Sequence, residues 1–249
     1  MRPPAGRAGR GVSMVEILVG LALGLMLITG VADMVGGSRQ TSRSERMLLE
    51  MQSAGRIATE IIARELRKAG FRSDRDRSVA DLFPVATAPF LTAGGVVAGA
   101  AGNAEVSVRL QGSGDAFTAD CLGNAVAGGQ ILWQTLSLVG NELRCRTRNI
   151  TTSTDQTLAM VSQIEALSVT FGEDTDGDGY ADAYRANANV ADWSRVASVN
   201  VQLRVMSSED SVADAPQAYL GFDGAAVTPT DRRLRRTYSS VVALRNLLP

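Results

Sequence analysis

From Ile17 to Ala32 the chain reads ILVGLALGLMLITGVA, a run without one charged side chain. With Val35 just past Asp33, the apolar stretch approaches the roughly 20 residues that span a bilayer as a helix. Arg2, Arg7 and Arg10 precede it, and no basic residue follows until Arg39. The positive-inside rule then holds the N-terminal side in the cytoplasm and sends the rest outward. A cleaved secretory signal shares the basic start and the apolar stretch, with a cut near Ala32. That reading leaves Glu16 unexplained, a carboxylate at the mouth of the run where lipid makes it costly. Nor does it explain why helical periodicity continues far beyond the run.

Composition narrows the function before any motif is read. The chain has no histidine, which removes the commonest general base and the commonest zinc ligand together. Lys68 is the only lysine. Serine-hydrolase triads, zinc hydrolases and histidine-ligated haem are excluded in their usual forms, and the chain reads as non-catalytic. Charge is nearly balanced, 25 basic against 26 acidic residues. Without the first 11 residues it becomes 22 against 26, mildly acidic, so bulk nucleic-acid binding is not expected. Arg232, Arg233, Arg235 and Arg236 cluster around Leu234, and read as a charged loop before a last strand.

After Gly36-Gly37, a plausible bend, Met47/Leu48, Met51, Ala54, Ala58, Ile61/Ile62, Leu66 and Ala69 recur at three- and four-residue steps. They form one apolar stripe on a helix, whose other faces carry charges including Arg56, Glu60, Arg64, Glu65 and Arg67. Gly70 supplies a stop, so one helix is expected over 12–69. Residues 79–103 read as a loop region. Strands are expected at 105–110, at 131–139 and 142–147 around the hairpin signal Gly140-Asn141, and at 159–171, 196–206 and 238–247. The pattern is α+β: a long N-terminal helix, membrane-spanning and then amphipathic, packed on an antiparallel β-sheet head.

Cys121 and Cys145 stand 24 residues apart. In an exported chain a disulfide is their natural state; otherwise they are two buried thiols. A bridge would tether the irregular stretch around Cys121 to the hairpin, contributing about 3–4 kcal/mol by loop closure. Residues 174–182 read Asp-Thr-Asp-Gly-Asp-Gly-Tyr-Ala-Asp. Asp174, Asp176, Asp178 and Asp182 occupy positions 1, 3, 5 and 9 of a calcium loop, Gly179 the sharp turn, and the Tyr180 carbonyl position 7. Arg185 stands where an EF-hand needs glutamate, and Glu173 is a candidate replacement. Calcium of modest affinity is one reading; a solvated acidic turn is the other.

Gly11-Val12-Ser13-Met14-Val15-Glu16, running straight into the apolar stretch, resembles the signal of type IV prepilins. The family's glycine before the cut falls on Gly11. Its new N-terminal residue falls on Val12, where the family usually has Phe, and its glutamate at mature position five falls on Glu16. The resemblance implies a leader over 1–11, cleavage after Gly11 by prepilin peptidase, and N-methylation of Val12. It also implies that Glu16 pairs with the terminal amine of a neighbouring subunit, sparing two charges in an apolar filament core. Gly20 and Gly24 form a small-xxx-small pattern that either packs helices or is merely tolerated.

Further stretches narrow the resemblance. They are the helix ending Glu65-Leu66-Arg67-Lys68-Ala69-Gly70, the two cysteines, the 171–179 loop, and the ending from Arg232 to Asn246. Together they look like the PilW-type minor pilins of Gram-negative bacteria. That family implies a type IV pilin-like fold, with 12–37 in the membrane, 38–70 as the amphipathic half-helix and 71–249 as the head. It implies a subunit that helps prime pilus assembly, partnered by other minor pilins, the major pilin and the inner-membrane assembly machinery. Before assembly it would sit in the inner membrane with its head in the periplasm, and afterwards in the pilus at the cell surface. A minor pseudopilin of type II secretion, of the J kind, is the alternative.

Overall fold

The computed structural model describes residues 13–87, 89–90 and 92–247. Its contacts divide the chain into two units, one ending at Arg46 and one starting at Met47, and each is described by itself.

Helix α1 spans Met14–Arg67 and supplies all the regular structure of the first unit among the described residues. Gly36 and Gly37 remain helical: the pair costs about 1 kcal/mol per glycine against alanine, too little to interrupt so long an element. Glu16 lies in its first turn, where a carboxylate complements the positive end of the helix dipole. The apolar side chains of this part point outward, with Met26 and Leu27 each 72% exposed. This helix is long and apolar enough to cross a membrane, and a continuous apolar surface of this kind fits a lipid environment, not water.

In the second unit α1 changes character. It buries Met47, Met51, Gly55, Ala58, Ile62, Ala63, Glu65 and Leu66, the expected stripe with three additions, Gly55, Ala63 and Glu65, and with Ala54 only half-buried. The helix stops where expected, because Gly70 takes φ +71°, a conformation that glycine adopts without steric cost. A short helix α2, Val79–Leu82, follows.

The first sheet contains β1 (Val97–Gly99), β2 (Glu105–Gln111), β3 (Ile131–Val139), β4 (Glu142–Asn149) and β5 (Thr154–Val161), antiparallel and in that order. The β3–β4 hairpin turns at Gly140-Asn141, pairing Val139 with Glu142, and Gly140 takes φ +61°. The chain then crosses to a second sheet through β6 (Ile164–Glu173), β7 (Ala183–Arg185) and β8 (Val196–Met206). A ribbon of β9 (Tyr219–Leu220) and β10 (Ala226–Val227) intervenes before β11 (Arg235–Ala243). The four-stranded order is β11-β8-β6-β7.

A long N-terminal helix with an antiparallel head is the expected class, but four details differ. The head has two main sheets. The stretch read as one strand over 159–171 is two, because Gln163 adopts φ +69° and sends the chain from one sheet to the other. The region read as loop over 79–103 contains α2 and β1, and buries Phe83 and Phe90 at 0% and 1% exposure. The last strand begins three residues earlier than expected, at Arg235.

One core joins these parts. Met51, Ala58, Ile62 and Leu66 of α1 meet Val106, Leu136 and Cys145 of the first sheet and Val169, Val201 and Leu203 of the second. Neither sheet nor helix could bury its apolar face alone, so each depends on the others.

Candidate functional site

The residues with the clearest chemistry fall into an N-terminal motif, a cysteine pair and an acidic loop. Of the first, Gly11 and Val12 lie outside the described residues. Glu16 is described, solvent-exposed at the start of α1. Its carboxylate stands exposed on the apolar helix, so a partner charge from another molecule would relieve the cost of a transfer into lipid.

The cysteines are joined. Cys121 and Cys145 form a disulfide with Cα atoms 6.5 Å apart, and both are buried in the shared core. Register explains the reach. Cys145 sits opposite Leu136 in the β3–β4 hairpin, while Asp120 shapes the Cys121 turn. One Asp120 carboxylate oxygen accepts from the backbone N–H groups of Leu122 and Asn124 at 2.9 and 2.7 Å. A segment with no regular structure is thereby fastened to the sheet.

The acidic loop connects β6 to β7. One oxygen from each of Asp174, Asp176 and Asp182 falls within 4.8 Å of the others, a grouping able to hold a cation. Asp178 is not in this trio; its carboxylate accepts from the Tyr180 N–H at 2.8 Å. The Tyr180 side chain is 77% exposed. Asp174 accepts from the N–H groups of Gly179 at 2.9 Å and Gly177 at 2.6 Å, which hold its pKa below the ordinary carboxylate range. Asp182 is lowered likewise, first by the Thr175 hydroxyl, at 2.5 Å, and then by the Thr175 N–H. These groups stay ionised at neutral pH, so they attract cations and have no proton to give.

Glu173 is spoken for elsewhere. Buried at the base of the loop, it accepts from the Asp192 N–H at 2.8 Å and ion-pairs with Arg185 at 2.9 Å. The arginine that replaces an EF-hand glutamate thus engages the acid considered as its substitute. The pair closes the loop beside the Glu173–Ala183 bridge, and Glu173 is not in the trio.

The arginine cluster near the last strand is mostly consumed inside the head. Arg235 lies on β11 and pairs with Asp231 and Glu165 at 2.7 and 2.8 Å. Arg233 donates to the carbonyls of Ser207 and Ser208 at 2.6 and 2.7 Å, and Arg232 to the Ser211 hydroxyl at 2.8 Å. These guanidiniums lace the segment before β11 to the rest of the second sheet.

Several buried charges escaped the sequence reading, Glu65 and Arg109 the deepest among them. Glu65, placed there on a solvated face, is fully buried and receives Lys68 Nζ and Arg64 Nε, each at 2.8 Å. Lys68 also donates to the Ala119 carbonyl at 2.8 Å, tying the helix end to the segment before Cys121. Arg109 is 1% exposed. Its guanidinium serves the carbonyls of Gly95 and Pro84 and lies 4.4 Å from the Phe90 ring centroid. Burial lowers its pKa to about 10. A charge in a strand of alternating pattern gives no local sign of such partners, since all of them lie in the preceding 83–95 stretch.

Comparison with known proteins follows from this geometry. A search of curated protein sequences finds no match. The structure is similar to that of a type IV-like pilin from Thermus thermophilus, with a TM-score of 0.49 and 16% sequence identity, over 81% of this chain and 98% of that one. Residues 134–246, which include Cys145, the acidic loop and β11, match the family described as type IV pilus-assembly protein W, the family that the 171–179 loop and the ending from Arg232 to Asn246 resemble.

Proposed function

We propose that this chain is a minor pilin: a non-catalytic subunit, anchored by α1, that takes part in priming the assembly of type IV pili. The observation that carries this reading is the match of residues 134–246 to a family of pilus-assembly proteins. The exposed apolar helix with Glu16 in its first turn supports it. Cleavage after Gly11 would leave Val12 as the new N-terminus, open to methylation, with the apolar helix retained. Glu16 would then meet the N-terminal amine of a neighbouring subunit, neutralising both charges within the filament. The partners are other minor pilins, the major pilin, prepilin peptidase and the inner-membrane machinery. The head faces the periplasm before assembly and the cell exterior after it.

In the same reading the acidic loop takes calcium through Asp174, Asp176 and Asp182, at modest affinity, stiffening the β6–β7 connection. Calcium at millimolar concentration then raises the melting temperature of the chain. An unchanged melting temperature leaves a solvated turn.

The deciding experiment is a deletion strain of the source organism, scored together for sheared surface pili and for secreted proteins. Loss of pili with secretion intact is expected. Normal pili with failed secretion would move the chain to the pseudopilins, and normal pili with normal secretion would remove the assembly role.

A further inference from the structure

β11 is the terminal strand of its sheet, and its outer side has no strand neighbour among the described residues. A cleft of about 580 Å³ runs along it, with α1 forming the opposite wall. On the helix side Gln52, Arg56, Thr59, Ala63 and Arg67 line it, a stripe at steps of three and four residues. That stripe covers four turns, about 22 Å at 1.5 Å per residue. On the strand side Tyr238, Ser239 and Ser240 line it together. Arg236, Tyr238 and Ser240 share the face that meets α1, and Ser239 lies on the other, so a cleft that meets all four reaches round to the edge of β11, where unpaired backbone groups lie.

Its charge is one-sided. Arg56, Arg67 and Arg236 line the cleft against a single acid, Glu60, in a chain whose formal net charge is −1. All three arginines are solvent-exposed. Their neighbours Arg64 and Arg235 are ion-paired, yet none of these three has an ion pair among the described residues. Guanidinium, amide and hydroxyl groups of Arg56, Arg67, Arg236, Gln52, Thr59 and Ser239 stand among aliphatic stems and the Tyr238 ring. An extended backbone would find hydrogen-bonding groups along its length.

We propose that this cleft receives an extended, carboxylate-bearing segment of another protein, added to the edge of β11 as a further strand. Strand addition supplies main-chain hydrogen bonds from the edge, and alternate side chains supply specificity. About seven extended residues fill the 22 Å length. Carboxylates on the inward-facing positions meet Arg56, Arg67 and Arg236, where arginine forks bind them in bidentate fashion. The inference does not depend on reading the chain as a pilus subunit, because the cleft lies wholly within the unit that starts at Met47.

The test uses the full-length chain in cells of its source, carrying a photo-crosslinking amino acid at Gln52 or at Ser239, with the crosslinked peptide sequenced by mass spectrometry. The proposal expects both positions to capture the same short segment of one other protein, with at least two carboxylates in it. It expects R56E/R236E to cut that capture at least about tenfold and R56K/R236K to retain most of it, at equal protein level and with the disulfide formed. If the charge-reversed chain fails to accumulate, R56Q/R236Q serves in its place with the same expectation. Capture of nothing, of different segments at the two positions, of a segment without carboxylates, of nucleic acid or of a second copy of this chain overturns it. So does capture undiminished by charge removal.

Discussion

The ring of Tyr238 on β11 occupies the space that a side chain at Gly55 of α1 would need. The Tyr238 hydroxyl donates to the Met51 carbonyl one turn earlier, at 3.4 Å. Here the last strand presses directly on the helix backbone, and only the absence of a Cβ allows it.

Gly55→Ala is therefore expected to destabilise the protein, against the usual trend. In an open helix the change would gain about 1 kcal/mol. Overpacking against an aromatic ring costs about 1–3 kcal/mol or more, and the ring cannot retreat without moving β11. Thermal unfolding of the detergent-solubilised chain should show a lower midpoint. Tyr238→Ala in the same chain should recover part of the loss, a non-additivity expected of residues in contact.

Reduction of the Cys121–Cys145 bridge, or the double change to serine, is expected to lower stability by about 3–4 kcal/mol. Chemical denaturation with and without reductant measures it. The loss should centre on the stretch before Cys121, which becomes more open to proteolysis while the β3–β4 hairpin persists. Equal stability in the two redox states would show that packing alone holds that stretch.

Arg109→Met removes a buried cation whose partners are backbone carbonyls and two phenylalanine rings. Carbonyls left buried without a donor cost about 1–3 kcal/mol each, so a total loss of about 2–4 kcal/mol is expected. Hydrogen exchange should accelerate first in residues 79–96, the segment that the guanidinium fastens. Uniform acceleration across both sheets would contradict this local role.

Acid sensitivity is expected at Asp231. The side-chain hydrogen bonds and charge of Arg235 pull its pKa down to about 2, below the ordinary value near 4. Its contribution is therefore full above about pH 4 and is lost as pH falls toward 2. Asp231→Asn should cost about 1–2 kcal/mol at neutral pH, tempered because Glu165 still holds Arg235 and solvent screens the site. It should also flatten the stability profile between pH 4 and pH 2. A mutant profile parallel to that of the parent would place the acid transition on another group.

Much of this was legible locally. The membrane-length run with Glu16 at its mouth, the amphipathic stripe from Met47 to Leu66, the Gly70 stop and the Gly140-Asn141 hairpin are all short-range signals. Each follows from periodicity or from a backbone angle that few residues adopt, so the chain itself determines a long helix followed by an antiparallel head. The absence of histidine is likewise read without coordinates, and it removes the commonest general base and the commonest zinc ligand.

Tertiary structure decided what depends on distant partners. Residues 159–171 looked like one strand because their apolar pattern is continuous, yet Gln163 divides them between two sheets. Glu65 looked solvated because its neighbours in sequence are charged; burial came from the segment around Ala119, more than 50 residues later. Asp174, Asp176, Asp178 and Asp182 looked alike in the sequence, and folding gathered three of them and turned Asp178 aside. Gly55 carried no signal at all until β11 laid Tyr238 against it. A pattern within one element records which face is apolar, but the partner that fills that face is chosen by long-range packing, which no local window contains.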